Sequence, residues 1–447
     1  MQDLTHGSIP KHLVRLSSFL AVSMLLQTLY FLVDLYFVSN IGGAAIAGVG
    51  LAGNLMMIVL ALTQMVGVGT TSLIAQAAGR KDQADAQSVF DQSCQLSIVI
   101  GLAMLAVGML LRVPYCRWLS ADQATSEAAA GYLLWLIPSF ALQFGFVAMG
   151  SALRATGIVK PGMIVQALTV GLNAILAPVL IAGWGTGKPL GTVGAGLATF
   201  IAICAGVVAL ATFFVGMERF VKIDISAWTK PRFDVWKRML AIGLPAGGEF
   251  VMMSVYTAFV YWLIRHKGSD AQAGFGVGVR LMQSLFLPVM AISFGASPLA
   301  GQNFGARKPD RVRQTFRVAA IMAAAVMAIM TVFCHVSPES LVRVFAHEAP
   351  VIANGTEYLR ILSWGFIAYG VNATSSSMFQ AIGNTWPSLA ASVIRVSMFA
   401  VGALWLARDP AFALGDVWVV AVVVGFFQCA LSLTLLQREF GKKLGPA

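Results

Sequence analysis

The sequence predicts an all-α membrane protein: twelve transmembrane helices in two six-helix bundles related by a parallel internal repeat. Three observations predict it. The first is composition, since 58% of the 447 residues are hydrophobic, only 11% are charged, and the mean hydropathy is +0.79. A soluble domain carries about 25% charge. The second is that apolar runs of about 20 residues, enough to cross roughly 30 Å of hydrocarbon, recur along the whole chain. The third is self-similarity at one fixed offset.

Apolar runs set against charged punctuation place the spans near residues 13–38, 45–77, 92–111, 129–153, 161–183, 190–216, 239–264, 271–303, 318–337, 358–382, 387–407 and 414–437. The runs are continuous instead of alternating, so helices and not barrel strands span the bilayer. The first run has no small-residue cleavage site and is followed by others like it, so it reads as a span and not as a removable signal. Cys94, Cys116, Cys204, Cys334 and Cys429 are scattered singly and read as small buried hydrophobes.

Charge asymmetry orients the spans. With both termini inside, the inner segments hold Lys11, Arg15, Arg80, Lys81, Arg154, Lys160, the clusters Arg219–Arg238 and Arg307–Arg317, and Arg438, Lys442 and Lys443. Fewer basic residues fall on the outer side, which predicts cytoplasmic termini in a plasma membrane, the inner membrane if the cell is bacterial. The net charge of +11 then reflects topology and attraction to anionic lipid, with no nucleic-acid partner.

The segment Met217–Arg238 is the most charged connection. It reads as a cytoplasmic linker between a bundle over 1–216 and a second over 239–447 that ends in a short cytoplasmic tail. AIAGVGLAGNLMM from Ala45 aligns without a gap on AQAGFGVGVRLMQ from Ala271, an offset of 271 − 45 = 226. The same offset pairs Leu73, Gln76 and Gly79 with Leu299, Gln302 and Gly305, and Ala155, Gly157 and Pro161 with Ala381, Gly383 and Pro387. Three separated blocks in one register indicate duplication. Six spans per half is an even number, so the halves share one orientation, an architecture of transporters that work by alternating access.

Of the nineteen acidic residues only Asp34 and Glu249 fall well inside apolar spans. An ionisable group at that depth marks a site that binds or moves something. Proton and cationic substrate competing for one carboxylate would couple their movements. The repeat sets Asp34 opposite Val260 and Glu249 opposite Ser23, so the acids are not copies of each other. Gln27 and Tyr30 share a helical face with Asp34. Asn173 and Thr199 add intramembrane hydrogen-bonding groups to the same half. In the second half Arg395 reaches a depth like that of Glu249 and is a candidate to pair with it, and Arg280 reads as snorkelling. Tyr30, Phe31, Trp135, Phe140, Phe144, Tyr256 and Trp262 could stack on planar cations, with ordinary packing as the alternative. No nucleotide-binding loop is present, because Gly187-Lys188 is followed by Pro189. The five histidines make no metal spacing, so no cofactor or metal is expected, and the chain is not expected to be an enzyme.

FLVDLYFVSNIGGAAIAGVGLAG in span 1, LIAQAAGRKD and LAGQNFGARKPD closing spans 2 and 8, ALRATG and FQAIGN ending spans 4 and 10, and GLPAGGE opening span 7 together resemble the multidrug and toxic compound extrusion (MATE) family. That resemblance implies an antiporter that exports cationic, amphipathic compounds in exchange for H⁺ or Na⁺. It implies that Asp34 is the coupling residue, supported by Gln27, Tyr30, Asn173 and Thr199. One departure matters: the family's span-5 pattern N-x-x-L-D-P reads NAILAP here, so Ala177 replaces a second acid. In the sodium-linked branch, acids in spans 7 and 10 of the second half are important. Here Glu249 lies about a turn closer to GLP than that branch implies, and span 10 offers Asn372, not an acid. Proton coupling is therefore favoured and Na⁺ is the alternative, with a flippase for lipid-linked or anionic amphipathic cargo as the more distant rival. Asp34 and Glu249 are the expected cation-coupling residues. Gln27, Tyr30, Asn173, Thr199, Tyr256, Asn372 and Arg395 are the expected substrate contacts, and a monomer in the bilayer is the expected state.

Overall fold

The computed structural model describes residues 1–39, 41–185, 187–216, 220–223, 230–409 and 412–445. Residues 217–219 and 224–229 of the expected linker lie outside that set, as does the side chain of Phe31. The described residues form helices and no strand: α1 (Ile9–Ser39), α2 (Gly43–Gly79), α3 (Gln83–Leu119), α4 (Gln123–Ala155), α5 (Lys160–Ile181), α6 (Gly191–Gly216), α7 (Phe233–Ile264), α8 (Ser269–Gly305), α9 (Pro309–Val336), α10 (Pro338–Arg343), α11 (Ala349–Leu362), α12 (Phe366–Ala381), α13 (Trp386–Leu406) and α14 (Leu414–Leu444).

Eleven of these are long and apolar enough to cross a membrane. The one remaining span expected from sequence, the tenth, near 358–382, is built from two helices. α11 and α12 join through a 3₁₀ turn at Ser363–Gly365. No proline forces that break. Thr331 of α9 donates to the Ser363 carbonyl over 2.9 Å, so a carbonyl at the interruption finds a partner inside the protein, as an apolar surround requires. Several helices outrun the hydrocarbon: α2, α3 and α8 each have 37 residues, well beyond the roughly 20 that a bilayer needs. In α3 the end turns carry Asp85 and Arg117, which is why hydropathy alone shortens that span.

The chain divides into two compact units, Met1–Leu4 with Val22–Gly247, and Thr5–Ala21 with Gly248–Ala447. In the first, α2, α3, α4 and α6 enclose cores that include Phe90, Phe214, Tyr132 and Leu136. In the second, α8, α11, α13 and α14 surround Phe275, Tyr358, Phe399 and Trp418.

The duplication extends to turn geometry. Among the described residues Lys81 and Arg307, 226 positions apart, are the two non-glycine residues with positive φ, at 60° and 54°. Each closes the same helix end: Lys81 N–H bonds Ala78 O and Asp82 N–H bonds Ala77 O, while Arg307 N–H bonds Phe304 O and Lys308 N–H bonds Asn303 O. That is a Schellman cap, which satisfies the last carbonyls of a helix through one left-handed residue. Gly157 and Gly383, again 226 apart, repeat it after α4 and α12 with φ of 76° and 72°.

The described part of the linker is held by glutamine amides of α3. Gln87 both accepts from Lys222 N–H at 2.8 Å and donates to Lys222 O at 2.7 Å. Gln92, fully buried, accepts from Arg232 N–H at 2.8 Å, and Gln83 donates to Phe220 O. Val221 is also fully buried in the first unit's core.

Candidate functional site

In the first unit four helices bring polar side chains to Asp34. The carboxyl is 6% exposed, and Tyr132 of α4 donates to its Oδ2 at 3.0 Å. One turn before Asp34 on α1, the Tyr30 hydroxyl accepts from Asn173 Nδ2 of α5 at 3.1 Å. Thr199 of α6 sets its hydroxyl beside that of Tyr30. Three buried oxygens in this cluster, Asp34 Oδ1, Asn173 Oδ1 and Thr199 Oγ1, have no protein partner of good hydrogen-bond geometry. Buried polar atoms are nearly always paired, so three such oxygens around one carboxyl mark capacity for a proton or a small cation.

Local sequence explains why these groups converge. Asp34 and Tyr30 are four apart on one helix and face the same side. Gly196 lets α6 lie against α4: a Cβ there would stand 2.4 Å from the Tyr132 carbonyl oxygen. That approach carries Thr199, three residues on, to the cluster. Ala177, one turn after Asn173, is fully buried, so the described site holds one carboxylate. Gln27, by contrast, is exposed on α1 and outside the hydrogen-bonded group.

The second unit builds a different polar line. Glu249 lies one turn after Pro245 in α7. Ser376 Oγ of α12 is 3.1 and 3.2 Å from its two carboxylate oxygens, and the Ser388 hydroxyl of α13 also bonds it. Among the described residues Glu249 has no ion pair with Arg395. The guanidinium carbon of Arg395 instead sits 4.9 Å from the ring centroid of Tyr256. Asn372 accepts from Ser432 at 2.7 Å, and Gln428 donates to Ser392 at 3.2 Å. Nearer the chain end, Glu439 accepts from Asn384 at 3.0 Å.

The sequence singles out Asp34, Tyr30, Asn173 and Thr199 but not Tyr132. A buried phenol in an apolar span needs an acceptor, and that signal was available. Nor does the sequence single out Ser376 or Ser388. The run Thr374–Ser377 inside span 10 was their visible trace.

A duplicated twelve-span helical membrane protein, with a buried carboxyl in one unit and a hydroxyl-bound acid in the other, is of the secondary-transporter class. The MatE family model matches it twice, over residues 20–179 and 245–405, one match per repeat. The chain belongs to the MatE family, whose members are transporters and not enzymes.

Relatives with curated names agree. The probable multidrug resistance protein YoeA of Bacillus subtilis (strain 168) is 24% identical over 425 residues, 93% of this chain and 90% of that one. The multidrug export protein MepA of Staphylococcus haemolyticus (strain JCSC1435) is 26% identical over 378 residues, 84% of this chain and 82% of that one. Among solved structures, a MOP superfamily transporter from Pyrococcus furiosus Vc1 (DSM3638), for which reverse polarity of the binding pocket suggests a different function, superposes with a TM-score of 0.91. It is 25% identical and covers 100% of this chain and 98% of its own. An outward-facing multidrug resistance MATE family transporter superposes with a TM-score of 0.90 at 24% identity, over 100% of this chain and 99% of its own, a likeness of fold.

Proposed function

We propose that this chain is a secondary active multidrug efflux antiporter that exports cationic, amphipathic organic compounds from the cytoplasm in exchange for protons. The observation that carries the reading is the Asp34 cluster. One carboxyl, held by Tyr132 at Oδ2 and unpaired at Oδ1, can take up a proton. The ionised form attracts a cation, so proton and cargo exclude each other at one group. The names of the relatives support drug export as the task.

Glu249 serves as a second cation-holding group, with Tyr256 and Asn372 along the same unit. In this reading the protein works as a monomer in the plasma membrane with both termini cytoplasmic. The three unpartnered oxygens at the Asp34 cluster also suit a hard cation such as Na⁺, which makes sodium exchange the second reading. Efflux of a fluorescent cation from reconstituted vesicles under an imposed pH gradient, against an imposed sodium gradient, separates them. The proton reading expects the pH gradient alone to drive accumulation, and transport driven only by sodium would overturn it.

A further inference from the structure

A cavity of about 510 Å³ opens in the second unit between α10 and the first turns of α11, a size within the range of small-molecule sites. Glu339 and Arg343 of α10, His347 of the connection, and Ile352, Ala353 and Thr356 on one face of α11 line it. Val351, Tyr358 and Leu359, on another face of α11, are buried in the unit's core. The cavity also has a definite depth in the membrane. α9 has 28 residues, about 42 Å of helix, which crosses the roughly 30 Å of hydrocarbon and brings its end at Val336 to the headgroup layer. α10 follows at once, so the cavity opens at that layer.

Its polar groups have unused capacity of both signs. Arg343 Nε and Nη2 both donate to one oxygen of Glu339, Oε1, at 3.1 and 2.5 Å, so among the described residues Oε2 of Glu339 and Nη1 of Arg343 are left over. The pair is exposed, and an exposed pair contributes little by itself, so engaging a ligand costs little. Thr356 supplies an independent sign of a ligand: its Oγ1 is buried and has no hydrogen-bond partner, which is rare for a buried hydroxyl. Around these groups Val336, Val344 and Phe345 are exposed large apolar side chains. An acid and a base one helical turn apart are matched by a compact zwitterion, and flanking apolar side chains at headgroup depth are matched by acyl chains.

We infer that this cavity binds the headgroup of a phosphoethanolamine lipid, with the ammonium on Glu339, the phosphate on Arg343 and Thr356, and the acyl chains over Val336, Val344 and Phe345. The arginine fork and a hydroxyl donate to phosphate oxygens, while a primary ammonium donates to the free carboxylate oxygen. A quaternary ammonium has no N–H to give, and an anionic headgroup would set a phosphate beside Glu339 with no cation to offset it. The site holds a lipid whatever cargo the protein exports.

Native mass spectrometry of the detergent-purified full chain tests it, titrating two short-chain lipids with the same acyl chains, one with a phosphoethanolamine and one with a phosphocholine headgroup. Wild-type protein is expected to bind the phosphoethanolamine lipid about tenfold more tightly, the scale of one charge-assisted hydrogen bond. Glu339→Gln is expected to bring the two within about twofold of each other. Thr356→Val, on the other helix, is expected to weaken both lipids severalfold and to keep their ratio. Thermal unfolding in detergent checks that each variant is folded. Wild-type affinities within about twofold of each other overturn the inference, as does an undiminished preference in Glu339→Gln. Glycerophosphoethanolamine, the same headgroup without acyl chains, is expected to bind at least about tenfold more weakly than the lipid, and equal affinity overturns the assignment to a lipid in favour of a free phosphoester.

Discussion

The Tyr132 hydroxyl donates to Oδ2 of Asp34 across 3.0 Å, tying α4 to α1 through a carboxyl whose other oxygen has no protein partner. A hydrogen bond to a charged group contributes about 1.5–3 kcal/mol. Tyr132→Phe removes it with little change of volume. The expected outcome is a loss of roughly tenfold or more in proton-driven efflux from a variant that still folds, checked by vesicle transport beside thermal unfolding.

Glu249 is served by two hydroxyls, from Ser376 and Ser388. Ser376→Ala and Ser388→Ala should each lower transport. Neither should add much once Glu249→Gln is present, because residues in one network are not additive. A double-mutant cycle is expected to give a coupling of about 0.5–3 kcal/mol, and simple additivity would mean that the serines act elsewhere.

Gly196 sits where a Cβ would meet the Tyr132 carbonyl at 2.4 Å. Gly196→Ala should push α6 from α4, costing about 1–3 kcal/mol by overpacking, and should displace Thr199 and Tyr132 together. Gly171 of α5 has nothing within 4 Å of its Cβ position, so Gly171→Ala should be neutral or stabilising by up to about 1 kcal/mol. Thermal unfolding in detergent compares the two.

Asp122 caps α4, accepting from the Thr125 N–H at 2.7 Å and its hydroxyl at 3.0 Å. Those bonds hold its carboxyl below the ordinary carboxylate range. A lowered native value means that the cap stabilises above the unfolded value of about 3.9 and is lost as pH falls through the lower native one. Asp122→Ala should therefore melt below wild type at pH 7, with the two curves converging only under strongly acidic conditions.

Much of this was legible in the chain. The 226-residue offset located both pairs of helix ends that share left-handed turns, because a cap is local and its residues repeat with the sequence. Asp34, Tyr30, Asn173 and Thr199 stand out as polar groups in apolar spans. Tyr132 did not, since an aromatic in a span reads as packing, and its partner lies 98 positions away. The partner of Arg395 was also out of reach. Depth along a helix follows from residue count, whereas the side to which a residue points relative to a neighbour depends on packing. Hence Arg395 meets Tyr256, two turns from Glu249. The interruption at Ser363–Gly365 carries no proline, so nothing local announced it.

In the proposed cycle proton and cargo compete for Asp34. Substrate-induced proton release from purified, weakly buffered transporter, followed with a pH indicator as a fluorescent cation is added, measures that competition without a membrane gradient. Wild-type protein should release protons in proportion to bound substrate, and Asp34→Asn should release none. Undiminished release from Asp34→Asn would rule out Asp34 as the group for which they compete.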